Sequence, residues 1–545
     1  MKKLLPLTQF LAQVEETPHQ DYLHQPLDGH MRVLTWLDVD TQAKAIAGAL
    51  VEMGITKGER IGILSKNCAE WFIADIAIMM AGLVSVPIYH TANRETIDYI
   101  VGNSDCKAVF VGRLDSLSEA ENGLSSNIPR IIFPYPSVEG NYQWGRVLEG
   151  KPLESIHQAN KEDTMSIVYT SGSTGKPKGV VLSYLNFAAA ADAATDILPD
   201  VVEQRLMSYL PLAHITERSL IEMLSFYVGC KIYFVDRLDT FISDVTFADP
   251  TVFLSVPRLW NKFQSEILSK IPDNKLQLLL KVPFLGKILA KKIRTGLGLK
   301  STLRFGSGTA PISPSILRWY QRLGVSISEG WGMTEATGLS CSNQPFSTES
   351  LGSIGKPLSC VEMKIGGNKE IMIRGDAVFS GYFKNSKATQ ESFTDGWFHT
   401  GDMGEISKNG DYKIIGRVKE QFKTAKGKYV APAPIENYLG QNTDIEQVCI
   451  IGEGRKQPIA LVVLNPQNKK SSELLQNSLS KTLHIVNKKL EKHQKLDHII
   501  VLKEEWSVEN NLLTPTLKIK RADIEKRFEH FIEMEIEEKI YWDKN

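Results

Sequence analysis

Several short clusters in this chain carry more hydroxyls, glycines and charge than a packed core needs. The first is Tyr169-Thr170-Ser171-Gly172-Ser173-Thr174-Gly175-Lys176-Pro177-Lys178-Gly179-Val180, set between apolar arms at 165–169 and 180–182. Glycines let the backbone turn and leave room beside it. Hydroxyls, amide N–H groups and two lysines then offer donors to an anion with several oxygens, such as a polyphosphate. The stretch is not a P-loop, in which Gly-Lys is followed by Ser or Thr and opens a helix. Here Lys176 precedes Pro177, which has no N–H to give. The competing reading is an ordinary surface turn, since Ser, Gly and Pro are common loop residues.

Further clusters follow in order. Pro211-Leu212-Ala213-His214-Ile215-Thr216-Glu217-Arg218 interrupts a strand-like pattern with a histidine, a carboxylate and a guanidinium. Gly306-Ser307-Gly308-Thr309-Ala310-Pro311 is a second small-residue loop. Ser328-Glu329-Gly330-Trp331-Gly332-Met333-Thr334-Glu335 sets an aromatic between glycines ahead of a hydroxyl and a carboxylate. His399-Thr400-Gly401-Asp402 and Gly416-Arg417-Val418-Lys419-Glu420 come next, then Thr514-Pro515-Thr516-Leu517-Lys518-Ile519-Lys520-Arg521 near the end. Singly, each has a plain explanation: Trp331 as core, Asp402 as a turn residue, Lys518 as surface charge.

The elements that must position them read as strands alternating with helices. Ile46, Leu50 and Met53 have helical spacing, with Gly54 placed to end the helix. Residues 61–64, 84–87 and 108–111 read as strands, and 69–81 and 97–101 as helices. The run 71–89 is the longest apolar stretch, but Asp75, Gly82 and Pro87 interrupt it, so it reads as a buried helix leading into a buried strand. Alternation resumes after the first loop, at 187–198, 206–210, 232–235 and 252–256. Such units predict a mostly parallel sheet with helices on both faces, and ligands on such sheets sit at the carboxyl ends of strands. From about Gly355 the period becomes two, at 361–365 and 370–374, and Asn409-Gly410 is a hairpin signal. A separate mixed unit begins near Gly416, with strands at 448–452, 459–464 and 499–502. Ile524, Phe528, Phe531 and Ile532 predict a final amphipathic helix.

Length and composition bound the rest. At 545 residues the chain exceeds one core. Its formal net charge of zero provides no global field for nucleic acid, so no nucleic-acid partner is expected. The six cysteines are scattered, without a CxxC, which argues against a zinc site or a disulfide framework and fits a reducing compartment. The N-terminus opens like a signal peptide but Gln9, Gln13, Glu15 and Glu16 interrupt it. A cytoplasmic protein is expected. The segment from Lys270 to Arg304 mixes lysines with leucines. It reads either as a solvated helix pair covering the domain or as a basic amphipathic patch resting peripherally on the inner face of a membrane.

Taken together and in this order, the clusters resemble the adenylate-forming (AMP-binding) superfamily over residues 35–521. The forms Pro-Leu-Ala-His-Ile-x-Glu-Arg, Val256-Pro257-Arg258-x-Trp260 and Leu-Thr-Pro-Thr-Leu-Lys-x-Lys-Arg are most similar to its long-chain fatty acyl-CoA synthetases. One departure is Leu517, where many members have glycine before the lysine; leucine is usual in the long-chain subgroup. The resemblance implies an α/β fold. Its N-terminal domain, 1–415, would hold two doubly wound α/β subdomains and a small β-barrel-like part at about 350–415. A small mobile α+β C-terminal domain would occupy 416–545.

The implied chemistry has two half-reactions. A carboxylate attacks the α-phosphorus of ATP and releases pyrophosphate; coenzyme A then displaces AMP from the acyl-adenylate. The resemblance assigns Thr170, Ser171, Gly172, Ser173, Thr174, Gly175 and Lys178 to the phosphates, and Thr174, Thr334 and Glu335 to Mg2+. Trp331 would stack on adenine beside Gly332, with Gly308, Thr309, Ala310 and Pro311 opposite. Asp402 and Arg417 would meet the ribose. Lys518, Glu335 and His214 would be catalytic, Lys419 the hinge, Gly427 the lining of the pantetheine path, and Trp260 either an acyl gate or plain core. The substrates would be a fatty acid and CoA, and a homodimer is compatible. Three alternatives stay open: delivery to a carrier-protein phosphopantetheine, a medium-chain or aromatic acid, and a homologue that binds nucleotide or acyl ligand without catalysis.

Overall fold

The computed structural model describes residues 4–27, 29–170, 176–466, 468, 470–508, 510–514, 518–534 and 536–543. It is an α/β protein built on several sheets. The largest has eight strands, in the order Gly381–Tyr382, Lys178–Ser183, Thr164–Thr170, Val84–Ile88, Arg60–Leu64, Cys106–Val111, Arg130–Ile132 and Tyr142–Gln143. From Thr164–Thr170 outward to Tyr142–Gln143 the pairings are parallel; Lys178–Ser183 and Gly381–Tyr382 join antiparallel. The helix Ala69–Met80 is buried on every face, as a segment apolar all round apart from Glu70 and Asp75 requires. It leads into the fully buried strand Val84–Ile88, the arrangement expected for 71–89.

The second half is less regular than two equal doubly wound halves. Arg205–Ser208 and Lys231–Phe234 form a four-stranded sheet with two strands from the far N-terminus, Asp21–Leu27 and His30–Thr35. Val252–Ser255, Arg304–Ser307 and Ile327–Met333 run parallel in a five-stranded sheet that two antiparallel strands complete. A buried guanidinium bolts this half to the large sheet. Arg218, in the π-helical turn Arg218–Met223, donates to both oxygens of Asp75 (2.8 and 2.7 Å), to Ser85 Oγ (2.7 Å) and to Ser166 Oγ. Burying a charge is tolerated only when it is paired and hydrogen-bonded in this way.

The period-two region is an antiparallel sheet around the ten-residue strand Trp397–Ile406, which pairs with Glu370–Arg374 and with Tyr412–Arg417. Gly410, at φ +83°, makes the expected turn. Beyond it lies a four-stranded sheet of Ile445–Ile451, Ile459–Leu464, Ile499–Leu502 and Ile540–Trp542, packed on the helix Ser472–Lys489. One expectation needs correction here. Ile524, Phe528, Phe531 and Ile532 do not share one helix. Arg521–Arg527 and His530–Glu533 are separate, with non-helical backbone at Phe528 (φ −114°, ψ 23°). The break lets Ile524, Phe528 and Phe531 all sink into the same cluster beneath the sheet.

Candidate active site

The first loop leaves the carboxyl end of Thr164–Thr170 and returns through Lys178–Ser183, two strands paired by Thr170 and Lys178. Ser171, Gly172, Ser173, Thr174 and Gly175 lie outside the described residues. At the loop's exit the Lys178 ammonium lies 4.9 Å from the ring centroid of Tyr382. The Tyr382 hydroxyl donates to Glu335 Oε1 (2.9 Å). Sequence reasoning passed over Tyr382. Its strand is only two residues long, and only its pairing with Val180 and Val181 sets it between the lysine and the carboxylate.

Glu335 follows Thr334 in a single 3-10 turn at the end of the strand Ile327–Met333. Its carbonyl accepts from the Phe379 N–H (2.8 Å), which fixes the backbone. Burial raises the pKa of its carboxyl group, against the opposing effects of the Tyr382 bond and the positive charges of Arg417 and Lys178. Gly332 sits where a Cβ would come 1.7 Å from the Gly338 carbonyl oxygen, so no side chain fits next to Trp331.

Trp331 and Asp402 are joined. The indole Nε1–H donates to Asp402 Oδ2 (2.9 Å), while Arg417 Nε pairs with Asp402 Oδ1 (3.1 Å). Asp402 and Arg417 are directly opposite on neighbouring strands, so the ladder itself holds the pair. Gly308 leaves the neighbouring strand beside Gly330, where a Cβ would lie 3.4 Å from the Gly330 carbonyl oxygen, and Thr309 stands at φ +66°. A non-glycine residue there is uncommon, and such residues cluster at ligand sites. Ala310 and Pro311 follow it, exposed.

Lys518 reaches this group from the C-terminal unit. A bridge between Leu513 and Ile519 closes its loop, with the Thr514 N–H donating to the Lys518 carbonyl (2.8 Å). Arg521 anchors the same segment through Glu436 (2.7 Å) and Glu420 (3.8 Å). Lys518 is exposed to solvent, although neighbouring protein atoms are close enough to desolvate its ammonium in part. Burial lowers its pKa, Arg417 adds to that, and Asp402, Glu335 and Glu420 oppose. One lysine thus feels the charge of residues from three different clusters.

His214 lies within reach of the charge of the same amine. Burial and, second, the charge of Lys518 bring its pKa down to about 4, so the ring is neutral. Its Nδ1 accepts from the Thr216 N–H (3.2 Å), which leaves the proton on Nε2 as a donor. The turn carrying it is tied down by Asn67, another residue missed from sequence. Asn67 Nδ2 donates to the Leu210 carbonyl (2.7 Å), Ser208 Oγ (2.8 Å) and Glu217 Oε1 (3.2 Å), and its Oδ1 accepts from the Leu212 N–H (3.1 Å). Its place just beyond the strand Arg60–Leu64 was the available signal, because polar residues at strand carboxyl ends line such sites. Burial raises the pKa of Glu217 to about 8.

Three expected positions stand apart from this group. Trp260 is fully buried, packed by Phe253, Phe263, Phe305 and Tyr320, and its Nε1–H donates to the Gly306 carbonyl (3.3 Å). Lys419 lies in the short turn Val418–Glu420 between the two β-rich units. Gly427, at φ +72°, is exposed at the tip of the hairpin formed by Phe422–Lys423 and Tyr429–Val430.

The AMP-binding enzyme family matches residues 10–383, and the AMP-binding enzyme C-terminal domain matches residues 419–539. Long-chain-fatty-acid–CoA ligase 5 of Rattus norvegicus is 32% identical, covering 91% of this chain and 83% of its own. Long-chain-fatty-acid–CoA ligase 1 of Homo sapiens is 30% identical, covering 91% and 81%. Among solved structures, the adenylation domain of a carboxylate reductase from Mycobacterium chelonae superposes with a TM-score of 0.82 at 21% identity, over 98% of this chain and 91% of that one. An anthranilate CoA ligase in complex with anthranoyl-AMP gives 0.81 at 20%, over 98% of both. At those identities the structural likeness speaks for the fold.

Proposed function

The chain belongs to the AMP-binding enzyme family, and from that premise we propose how its residues divide the work of an ATP-dependent, AMP-forming long-chain-fatty-acid–CoA ligase. The observation that carries the proposal is the pair of linked groups, Trp331–Asp402–Arg417 and Lys178–Tyr382–Glu335, drawn from separate stretches of the chain, with the charge of Lys518 acting on Asp402, Arg417, Glu335 and His214.

Adenylation is chiefly positioning and charge neutralisation. Lys178, with the loop residues 170–175, would hold the departing pyrophosphate. Trp331, fixed by its bond to Asp402, would offer a flat face to adenine, with Gly332 and 308–311 leaving room. Asp402 has remaining acceptor capacity for a ribose hydroxyl, and Arg417 beside it is a fixed donor. Lys518 would sit between the α-phosphate and the fatty acid carboxylate and offset the charge that gathers there. Glu335 would hold Mg2+ together with Thr334 and Thr174. One buried carboxylate suits an ion that takes most of its oxygens from phosphate and water, and no cluster of three or more His, Cys, Asp or Glu that could bind a metal occurs among the described residues. When bound, the ion would supply charge neutralisation at the phosphates.

For the second half-reaction, neutral His214 would donate from Nε2 near the acyl carbonyl. Lys419 would serve as the pivot that brings Gly427 to the pantetheine path, and Trp260 would gate the acyl chain. Division into 1–415 and 416–545, with a β-rich part at about 350–415, belongs to the same reading, as does a homodimer. So does peripheral contact of 270–304 with the inner face of a membrane. No helix among the described residues is long and apolar enough to cross one.

Incubation with ATP, Mg2+, CoA and a C16 acid, followed by chromatography, tests the reading. Acyl-CoA and AMP should form in equal amounts. Acyl-adenylate that accumulates with CoA present, and discharges only onto a phosphopantetheinylated carrier protein, would favour the carrier-loading alternative.

A further inference from the structure

The two helices that follow Trp260's own helix, Asp273–Leu280 and Leu285–Gly296, form a hairpin with one face bound and one face bare. Leu276 is fully buried, and Leu280, Leu289, Ala290 and Ile293 pack against the cluster that contains Trp260, Phe263 and Tyr320. The tip faces outward. Phe284 is 81% exposed and Ile288 64%, and Val282 and Leu285 are exposed beside them.

The tip is held in that posture. Phe284 has φ +62° and ψ −53°, and the Leu285 N–H donates to the Pro283 carbonyl (2.7 Å), a three-residue γ-turn centred on a phenylalanine. This turn is rare and strained, and a bulky residue at positive φ is an outlier. Behind it, Gly286 sits where a Cβ would come 2.4 Å from the Leu280 carbonyl oxygen, so the helix starts pressed against its partner. Charge surrounds the apolar tip. From Asn274 to Lys300 the chain has seven basic residues and no acidic one, although its formal charge as a whole is zero. Lys281, Lys287, Lys291 and Lys292 are exposed around it.

We infer that the tip of this hairpin, Val282, Phe284, Leu285 and Ile288 ringed by lysines, is a wedge that docks on an anionic lipid surface. Apolar side chains enter the acyl boundary while the lysines meet headgroup phosphates, the division of labour of interfacial anchors. A second copy of this chain is the poorer occupant, because two such tips face to face would oppose two rims of like charge. The use of the wedge rests on the ligase reading. An acid dissolved in the bilayer would leave it beside a hairpin whose inner face packs on the core cluster that contains Trp260.

Flotation of the full chain with phosphatidylcholine vesicles, with and without phosphatidylglycerol, tests the surface. The chain should float with the anionic vesicles at low salt, and bind at least about tenfold more weakly in Phe284→Gly, Ile288→Glu and the pair combined. Phe284→Gly also relieves the backbone strain, so it should unfold no earlier than the parent. Equal flotation of parent and variants, or no flotation of the parent, overturns the proposal. So does light scattering that shows a parent dimer reduced to monomers by Ile288→Glu. Ligation of a soluble medium-chain acid should be unchanged in the variants, whereas an acid supplied in anionic vesicles should be ligated more slowly. If the parent ligates neither acid, the ligase reading fails while flotation still decides the surface.

Discussion

The amine of Lys518 has to remain charged where partial desolvation and a neighbouring guanidinium disfavour charge. Burial and Arg417 push its pKa down; Asp402, Glu335 and Glu420 hold it up. A preorganised donor of this kind is worth about 3–4 kcal/mol, so Lys518→Ala should slow pyrophosphate exchange by a few hundredfold or more. Because the pKa is lowered, the amine loses its proton below the ordinary lysine range, and exchange should fall on the alkaline side there. Lys518→Arg, which keeps its charge, should move that limb upward; an unmoved limb would assign it to another group. His214 supplies a second pH test. With its pKa near 4, thioester formation should show no limb near the ordinary histidine value, and a limb there abolished by His214→Ala would contradict the neutral ring. Glu217 works in the opposite sense on stability. Its folded pKa, about 8, lies above that of a free carboxyl near 4.5. The folded state therefore binds the extra proton between these values, and stability is lost as pH rises through that window. Glu217→Gln keeps the acceptor that Tyr209 N–H and Asn67 use, so its melting temperature should depend less on pH across the window.

At the scale of elements, the site depends on short segments tied by polar bonds. Asn67→Ala would free the turn that carries His214 and depress thioester formation more than adenylation; an equal loss in both would make it a general scaffold residue. Lys419→Pro, between the two β-rich units, should spare pyrophosphate release and depress thioester formation, and equal loss of both would count against a pivot. Arg218→Ala should cost about 3–5 kcal/mol in urea unfolding, since it strands Asp75 in the interior. The clusters and the strands that carry them were legible in the sequence, because glycines, turn residues and apolar runs are local signals. Trp331 with Asp402 was legible only as two clusters, since the bond between them spans 71 residues. Asn67 was signalled only by its place just beyond the strand Arg60–Leu64, and Tyr382, on a two-residue strand, gave no local sign. The final helix was misread as continuous because 3.6-residue spacing survives across the break at Phe528.

For the molecule as a whole, the parallel sheet of the first third could be read from strand–helix alternation. In the second half the strands at 206–210, 232–235 and 252–256 were legible too, but not the sheets they join. Asp21–Leu27 contains His24, Gln25 and Pro26, which hide a strand, and its parallel partner is Lys231–Phe234, some two hundred residues on. The segment 270–304 contains a helix pair packed on the domain on one face, as one reading of its sequence expected, with an exposed tip. Trp260 belongs to the core cluster on which that hairpin packs. If it gates an acyl chain, Trp260→Ala should broaden chain-length preference; a variant that only melts earlier would make it core. The central claim is that these parts make an acyl-adenylate from a long-chain acid and pass it to CoA. Pyrophosphate release measured across acids of increasing chain length, with and without CoA, tests it most directly. The account predicts turnover that rises to an optimum among long chains and needs CoA to continue past the first turnover. An optimum among short, medium or aromatic acids, or sustained release indifferent to CoA, would contradict it.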